Sequence, residues 1–108
     1  MKVTKLPDAE IALIEATCPE LPPEYFAYLR DVGWGETASA RMIYSGPISP
    51  QDVYGASFRQ PGIVLLGDDF QGHCFGYDLI ASTYGEASPD GSWHVWPSGK
   101  GIRHYAGA

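Results

Sequence analysis

The chain has 108 residues, a hydrophobic fraction of 44% and a net charge of −6, which suit one small domain with a single core. This acidic balance disfavours nucleic acids and anionic membranes as partners, because both are bound through cationic side chains. No apolar run is long enough to span a bilayer, and no secretory signal is recognisable. We therefore expect a single domain over residues 1–108, located in the cytoplasm with both cysteines reduced.

Two helices are predicted near the N-terminus. Asp8 is a suitable N-cap for a helix over residues 8–17. Its apolar face is expected to contain Ile11, Leu13, Ile14 and Cys18. A second helix begins at Pro22 or Pro23, where a missing amide hydrogen costs nothing. Its apolar stripe consists of Tyr25, Tyr28, Leu29 and Val32. Because the link between the helices is short, they should pack as a V.

Strand patterns begin after Gly35. Residues 41–44 predict a strand, and residues 49–54 predict one helical turn capped by Ser49. The four apolar residues 63–66 are typical of a buried central strand. Residues 73–78 return antiparallel to it, with aromatic side chains on one face and small or polar ones on the other.

The C-terminal part is predicted to complete the sheet. A hairpin signal at residues 88–91 precedes a strand over residues 92–96, which we expect to carry Trp93 and Trp96 on one face. Residues 102–105 then predict a closing strand. The fold class is therefore α+β, with two N-terminal helices packed on a mainly antiparallel sheet of about four to six strands.

The charges are distributed unevenly along the chain. Residues 60–99 contain no Lys or Arg, but five acidic residues: Asp68, Asp69, Asp78, Glu86 and Asp90. In the turn over residues 67–72, we expect one aspartate to accept backbone amides and the other to be free for a partner. An acidic surface formed by these residues would favour a basic protein partner, because complementary electrostatic fields accelerate the encounter of two proteins. Solubility is an equally good explanation of the charge alone.

The aromatic residues divide between core and surface. The core should contain Tyr25, Tyr28, Phe75 and either Trp96 or Trp93. Trp34 lies in a glycine-flanked segment and Phe70 lies in the turn over residues 67–72, so both are expected to be exposed anchors for a partner. The candidate partner-binding residues are Asp68, Asp69, Phe70, Gln71, Trp34 and Glu36.

Catalytic patterns are weak in this chain. The histidines and cysteines lack metal-binding spacings, and His73 and Cys74 should point to opposite faces of a strand. The aspartates lack the spacing of a calcium loop, and there is no nucleophile elbow or phosphate-binding loop. We therefore expect no catalytic residue, metal or cofactor, and keep a small hydrolase that uses the aspartates as a minor alternative.

Two segments resemble the SUKH superfamily, which includes a cell-wall-assembly regulator and many bacterial immunity proteins. Residues 21–35, LPPEYFAYLRDVGWG, are similar to its second helix, with Leu-Pro, a later Tyr and Leu, and a glycine-rich exit. Residues 63–79, IVLLGDDFQGHCFGYDL, are similar to its strand, acidic turn and second strand. The chain departs from the pattern at residues 32–35, where Asn-Gly-Gly is common, and in its strand-like C-terminus, where many members have a helix.

The resemblance implies a single SUKH-like domain that acts as an immunity protein. Such a protein would bind a cognate toxin, such as a nuclease or another contact-dependent effector, and neutralise it without catalysis. It would be a monomer or a weak homodimer. The alternative is a scaffold or regulator that binds a resident cellular protein.

Overall fold

The structure, a computed structural model, describes residues 2–58 and 60–107. It contains four α-helices: α1 Asp8–Thr17, α2 Pro23–Asp31, α3 Gln51–Tyr54, which a 3₁₀ turn Gly55–Ser57 extends, and α4 Ile102–Ala106. It also contains seven strands: β1 Lys2–Thr4, β2 Trp34–Glu36, β3 Met42–Ile48, β4 Ile63–Asp68, β5 Cys74–Asp78, β6 Thr83–Ala87 and β7 Trp93–Val95. All seven strands form one antiparallel sheet in chain order. The α+β class with two N-terminal helices is confirmed, and the sheet is larger than expected.

The two N-terminal helices lie where the sequence predicts them, and they pack against each other. The predicted N-cap is wrong by one residue, because Pro7 is the N-cap and Asp8 is the first helical residue. In α2, Tyr25 and Tyr28 are fully buried, as expected. Leu13 contradicts the predicted apolar face of α1, because its side chain is 68% exposed.

The C-terminal segment is a helix and not the predicted strand. Ile102, Tyr105 and Ala106 are buried at positions i, i+3 and i+4, a spacing that suits one face of a helix. Gly107 follows in the left-handed conformation and ends α4. The strand-like departure from the resembled family pattern is therefore absent.

Each face of the sheet carries its own hydrophobic cluster. The larger cluster lies between the sheet and the helices α1, α2 and α4, and includes Phe75 and Tyr77 of β5. The smaller cluster contains Cys74 and Phe58, and the side chain of Tyr54 packs against it. β5 is thus buried on both sides, with the predicted alternation of aromatic and small residues.

The two C-terminal tryptophans lie on opposite sides of the sheet. Trp93 packs against the smaller cluster and Trp96 against the larger one. The prediction of a shared face is wrong, because residues three apart in a strand point in opposite directions and β7 ends at Val95.

Among the described residues, no helix is long and apolar enough to cross a membrane.

Candidate partner-binding surface

The sheet register brings three turns to the same end of the molecule. Glu36 of β2 pairs with Met42 of β3, which pairs with Asp68 of β4. The row continues through Cys74 and Ala87 to Trp93. The turns β2–β3, β4–β5 and β6–β7 therefore project from one end of the sheet. Two strand spacings separate the backbones of Glu36 and Asp68, which corresponds to about 10 Å.

We call this part of the molecule the acidic end, and define it as the row from Glu36 to Trp93 with its three turns. The described side chains of the row and the turns include four carboxylates and one guanidinium group: Glu36, Asp68, Asp69, Asp90 and Arg41. Their net charge is −3, because four negative charges face one positive charge. Asp90 and Arg41 were not among the candidate residues, and only the strand register reveals that they belong here.

The β4–β5 turn, residues 68–73, is held together by its own aspartates, and we call it the acidic turn. Oδ1 of Asp68 accepts the backbone amide of Phe70 at 3.0 Å. Oδ1 of Asp69 accepts the amides of Gln71 at 2.8 Å and His73 at 3.1 Å. The expectation that one aspartate is free is therefore wrong, because consecutive aspartates each satisfy amides that the tight turn leaves unpaired.

Asp69 is held in its ionised form by this geometry. Its side chain is only 17% exposed, and this partial burial raises the pKa of the carboxyl. Hydrogen bonds from the amides of Gln71 and His73 lower the pKa. The nearby charges of His73 and Arg41 lower it further, so that the net pKa lies below the usual value for aspartate. Nδ1 of His73 lies 3.3 Å from Oδ2 of Asp69 but forms no hydrogen bond with it.

Asp68 is tied to the interior through Tyr44. The Tyr44 hydroxyl donates to Oδ2 of Asp68 at 2.7 Å and lies 3.9 Å from Sγ of Cys74. Burial, the largest cause, and the nearby carboxylates of Asp68 and Asp69 raise the pKa of the Cys74 thiol. Because a thiol must ionise to attack, this buried cysteine is a poor nucleophile at neutral pH.

Phe70 is the exposed aromatic of the acidic end. Its side chain is 57% exposed at the tip of the acidic turn, as expected, and the neighbouring Gln71 is also exposed. The backbone of Phe70 has φ +65°, in the left-handed region that a bulky side chain rarely adopts. The hydrogen bonds to Asp68 and Asp69 hold the turn that imposes this conformation.

Trp34 does not belong to this surface as an exposed anchor. Its side chain is partly buried, packs against the larger cluster, and lines a cleft with Leu6, Glu10 and Ile14. Glu36, two residues later, is exposed at the acidic end. The candidate set is thus divided: Glu36, Asp68, Asp69, Phe70 and Gln71 lie at one end of the sheet, and Trp34 lies beside α1.

The other acidic residues of the C-terminal half have local structural roles. Oδ1 of Asp78 accepts the amides of Ile80 and Ala81 at the opposite end of the sheet, each at 2.9 Å. Oε1 of Glu86 accepts Nε1 of Trp96 at 3.0 Å. These carboxylates stabilise turns and side chains, so the acidic composition does not by itself define a reaction centre.

The acidic end can therefore present negative charge and an exposed aromatic ring to another molecule. Within residues 2–58 and 60–107, no group of three or more His, Cys, Asp or Glu side chains could hold a metal ion.

Comparison with known proteins found no match: no protein-family model matches the chain, and no curated protein or solved structure shows significant similarity to it.

Proposed function

We propose that this protein is a non-catalytic binding module that neutralises a basic toxin domain in the cytoplasm. The acidic end would cover the active site of the toxin, with Phe70 as the central contact. This proposal agrees with the resemblance of residues 21–35 and 63–79 to immunity proteins. The observation that carries it is the conformation of Phe70, which is both exposed and strained.

An exposed phenylalanine in the left-handed conformation lowers the stability of the isolated protein. The backbone conformation costs about 1 kcal/mol, and the ring gains nothing from burial. Glycine or asparagine would fit this position better. Strained residues that the surrounding structure holds in place are common at binding sites. Aromatic rings that a partner buries supply much of the binding energy of protein interfaces.

The acidic turn also fixes the backbone that carries Phe70 before any partner arrives. Three hydrogen bonds from backbone amides to Asp68 and Asp69 order the residues on both sides of Phe70. A partner therefore loses less affinity to the ordering of this loop than it would with a flexible loop. The charge of the acidic end complements the cationic surfaces with which proteins bind nucleic acids, which would accelerate association with a nuclease toxin.

The test compares three versions of the protein as baits in pull-downs from the native cell. Phe70→Ser removes the ring, and Ile80→Ser is the matched control, since Ile80 is 73% exposed at the opposite end of the sheet. We expect the wild type and Ile80→Ser to capture the same basic protein, and Phe70→Ser to lose it. Expression of the captured protein alone should arrest growth, and co-expression of the wild type should restore it.

Two results would contradict the proposal. Equal capture by Phe70→Ser and Ile80→Ser would show that the acidic end is not the contact surface. A captured protein that is harmless when expressed alone would instead favour a scaffold or regulator of a resident partner. Substitution of Asp68 or Asp69 is a less decisive test, because either change also breaks hydrogen bonds within the turn.

A further inference from the structure

The two edges of the sheet differ in how they are protected from pairing with another strand. β1 forms one edge and β7 forms the other. Lys2 begins β1 and Lys5 follows it, and lysines at an edge strand oppose the approach of a further strand. β7 contains no Lys, Arg, Asp or Glu, and its Val95 side chain is 60% exposed. The β7 edge is therefore the one that can accept a neighbour.

The backbone groups that β7 offers at this edge follow from its pairing with β6. The amide of Trp96 donates to the carbonyl oxygen of Tyr84 at 2.9 Å, just beyond the end of β7. Hydrogen-bonded pairs alternate along an antiparallel ladder, so His94, two residues earlier, also faces β6. The N–H and C=O groups of Trp93 and Val95 therefore point away from β6. Within residues 2–58 and 60–107, no backbone hydrogen bond to these groups is present.

A second copy of β7 can pair with all of these groups. If two β7 strands lie antiparallel about a two-fold axis between their His94 residues, Trp93 of each copy lies opposite Val95 of the other. Every outward N–H then meets an outward C=O. With the axis at Val95, Trp93 would instead face Pro97, which has no N–H. With the axis at Trp93, Val95 would face Gly91, which has φ +85° and is not extended.

The side chains and charges around β7 also complement a second copy. Trp93 and Val95 lie on the same face of the sheet, so Val95 of each copy would pack beside Trp93 of the other. Antiparallel pairing places Asp90, in the turn before β7, alongside the segment of the other copy that carries Lys100. It also directs the acidic ends of the two copies to opposite sides, which keeps their negative charges apart.

We propose that the protein forms a weak homodimer through β7, in which the two seven-stranded sheets join into one. The pairing closes on itself, because both copies use the same edge and each remaining edge is the lysine-bearing β1. A contact three residues long is small, so we expect a Kd of about 0.1–1 mM. Phe70 stays accessible, because two strand spacings, about 10 Å, separate β5 from β7. The dimer does not depend on the function proposed for Phe70.

Hydrogen exchange of the backbone amides, followed by NMR, tests the pairing in the wild-type protein. The amides of Trp93 and Val95 should exchange rapidly at about 50 μM and become protected at about 1 mM. The amide of His94, which faces β6, is the internal control and should be protected at both concentrations. Over the same range, sedimentation equilibrium should show the mass rising from that of a monomer toward that of a dimer.

Charge substitutions at His94 identify the occupant as a second copy. The side chain of His94 is exposed, and the axis would place its two copies directly opposite, with about 4.5 Å between the Cα atoms. His94→Glu and His94→Lys should each weaken association about tenfold or more, because like charges oppose each other. An equal mixture of the two variants should form a heterodimer. Circular dichroism of each variant alone checks that it folds.

Substitutions of Val95 test the backbone hydrogen bonds. Val95→Pro removes an N–H that points away from β6, so it costs no hydrogen bond within the sheet. We expect this variant to keep the fold and lose the dimer. Val95→Ile is the matched control, since it keeps the N–H and an apolar side chain, and it should dimerise like the wild type. Phe70→Ser should also dimerise, which separates this inference from the proposed function.

The proposal is overturned by any of four results. These are a wild type that stays monomeric at about 1 mM, a dimer in which the Trp93 and Val95 amides still exchange rapidly, undiminished association of each charged variant alone, and a mixture of the two that does not associate. A monomeric wild type whose capture of another protein is lost in Val95→Pro would assign the edge to a strand of that protein instead. None of these results decides whether Phe70 contacts a toxin.

Discussion

The hydroxyl of Tyr44 and the carboxylate of Asp68 form a 2.7 Å hydrogen bond that connects the middle of β3 to the end of β4. Because Oδ1 of Asp68 accepts the Phe70 amide, the same carboxylate joins the interior of the sheet to the exposed tip of the acidic turn. Through Asp68, the Tyr44 hydroxyl therefore helps to fix the position of the Phe70 backbone. The stability of this end of the sheet should depend on that hydroxyl.

Tyr44→Phe should lower the free energy of unfolding by about 1–3 kcal/mol, because it leaves a part-buried charged acceptor without its donor. The matched control is Tyr105→Phe, since the buried Tyr105 hydroxyl has no hydrogen-bond partner within the described chain. Its removal should be neutral or stabilising. Urea unfolding of both variants measures the difference, and equal losses would show that the Tyr44 bond adds no stability.

Asp69 should make the stability of the protein sensitive to acid. Its pKa is lower in the folded state than in the unfolded chain, so its contribution is present above pH 4 and is lost as the pH falls through the folded-state pKa. Asp69→Ala should cost about 1–3 kcal/mol at pH 7, and the difference from the wild type should shrink on acidification. Asp69→Asn keeps an acceptor without the titration, so its difference from the wild type should be smaller. A difference that does not change with pH would contradict the pKa direction.

Six tyrosines should titrate only as the protein unfolds in alkali. Burial is the largest cause that raises the pKa of each of six: Tyr25, Tyr28, Tyr44, Tyr54, Tyr84 and Tyr105. A raised pKa favours the protonated phenol in the folded state, so stability is unaffected below pH 10 and falls above it. Phenolate absorbance should therefore rise together with the loss of near-ultraviolet circular dichroism. Gradual ionisation of these six tyrosines near pH 10 with the dichroism intact would be inconsistent with this burial.

Gly76 allows β4 and β5 to approach closely in the middle of the sheet. A Cβ atom at this position would lie 2.4 Å from the carbonyl oxygen of Val64, which cannot move without disturbing the strand. Gly76→Ala should therefore destabilise the protein by about 1–3 kcal/mol. Gly46→Ala is the control, since its Cβ would meet only Ile14 at 3.5 Å. Thermal unfolding of the two variants provides the comparison, and equal stabilities would refute the steric explanation.

The two N-terminal helices were predictable because prolines mark their limits. Pro7 and Pro19 bound α1, and Pro23 begins α2. The three-residue strands β1 and β2 carry too few residues for an alternating pattern, so only their pairing in the sheet defines them. The five residues of α4 fit both a strand and a helix, and burial of Tyr105 in the larger cluster decides between the two.

The candidate surface was predictable only in part. The exposed position of Phe70 follows from its place in a turn with aspartates before it and a glycine after it. The position of Trp34 did not follow from its flanking glycines. Gly33 lies in a conformation that favours glycine, φ +117°, and a Cβ there would be 2.2 Å from the carbonyl oxygen of Thr4. These glycines permit close strand pairing, which places Trp34 beside α1 instead of in a loop.

The sequential order of the seven strands has a consequence for how the protein forms. Each strand pairs with its neighbour in the chain, so the sheet from β2 to β7 can grow by one strand at a time, whereas β1 and β2 pair across the two N-terminal helices. The pairing of β1 with β2 and the contact between α2 and α4 bring distant parts of the chain together. Because α4 follows all seven strands in the chain, its docking against α2 would then be a late event, after most of the sheet has assembled.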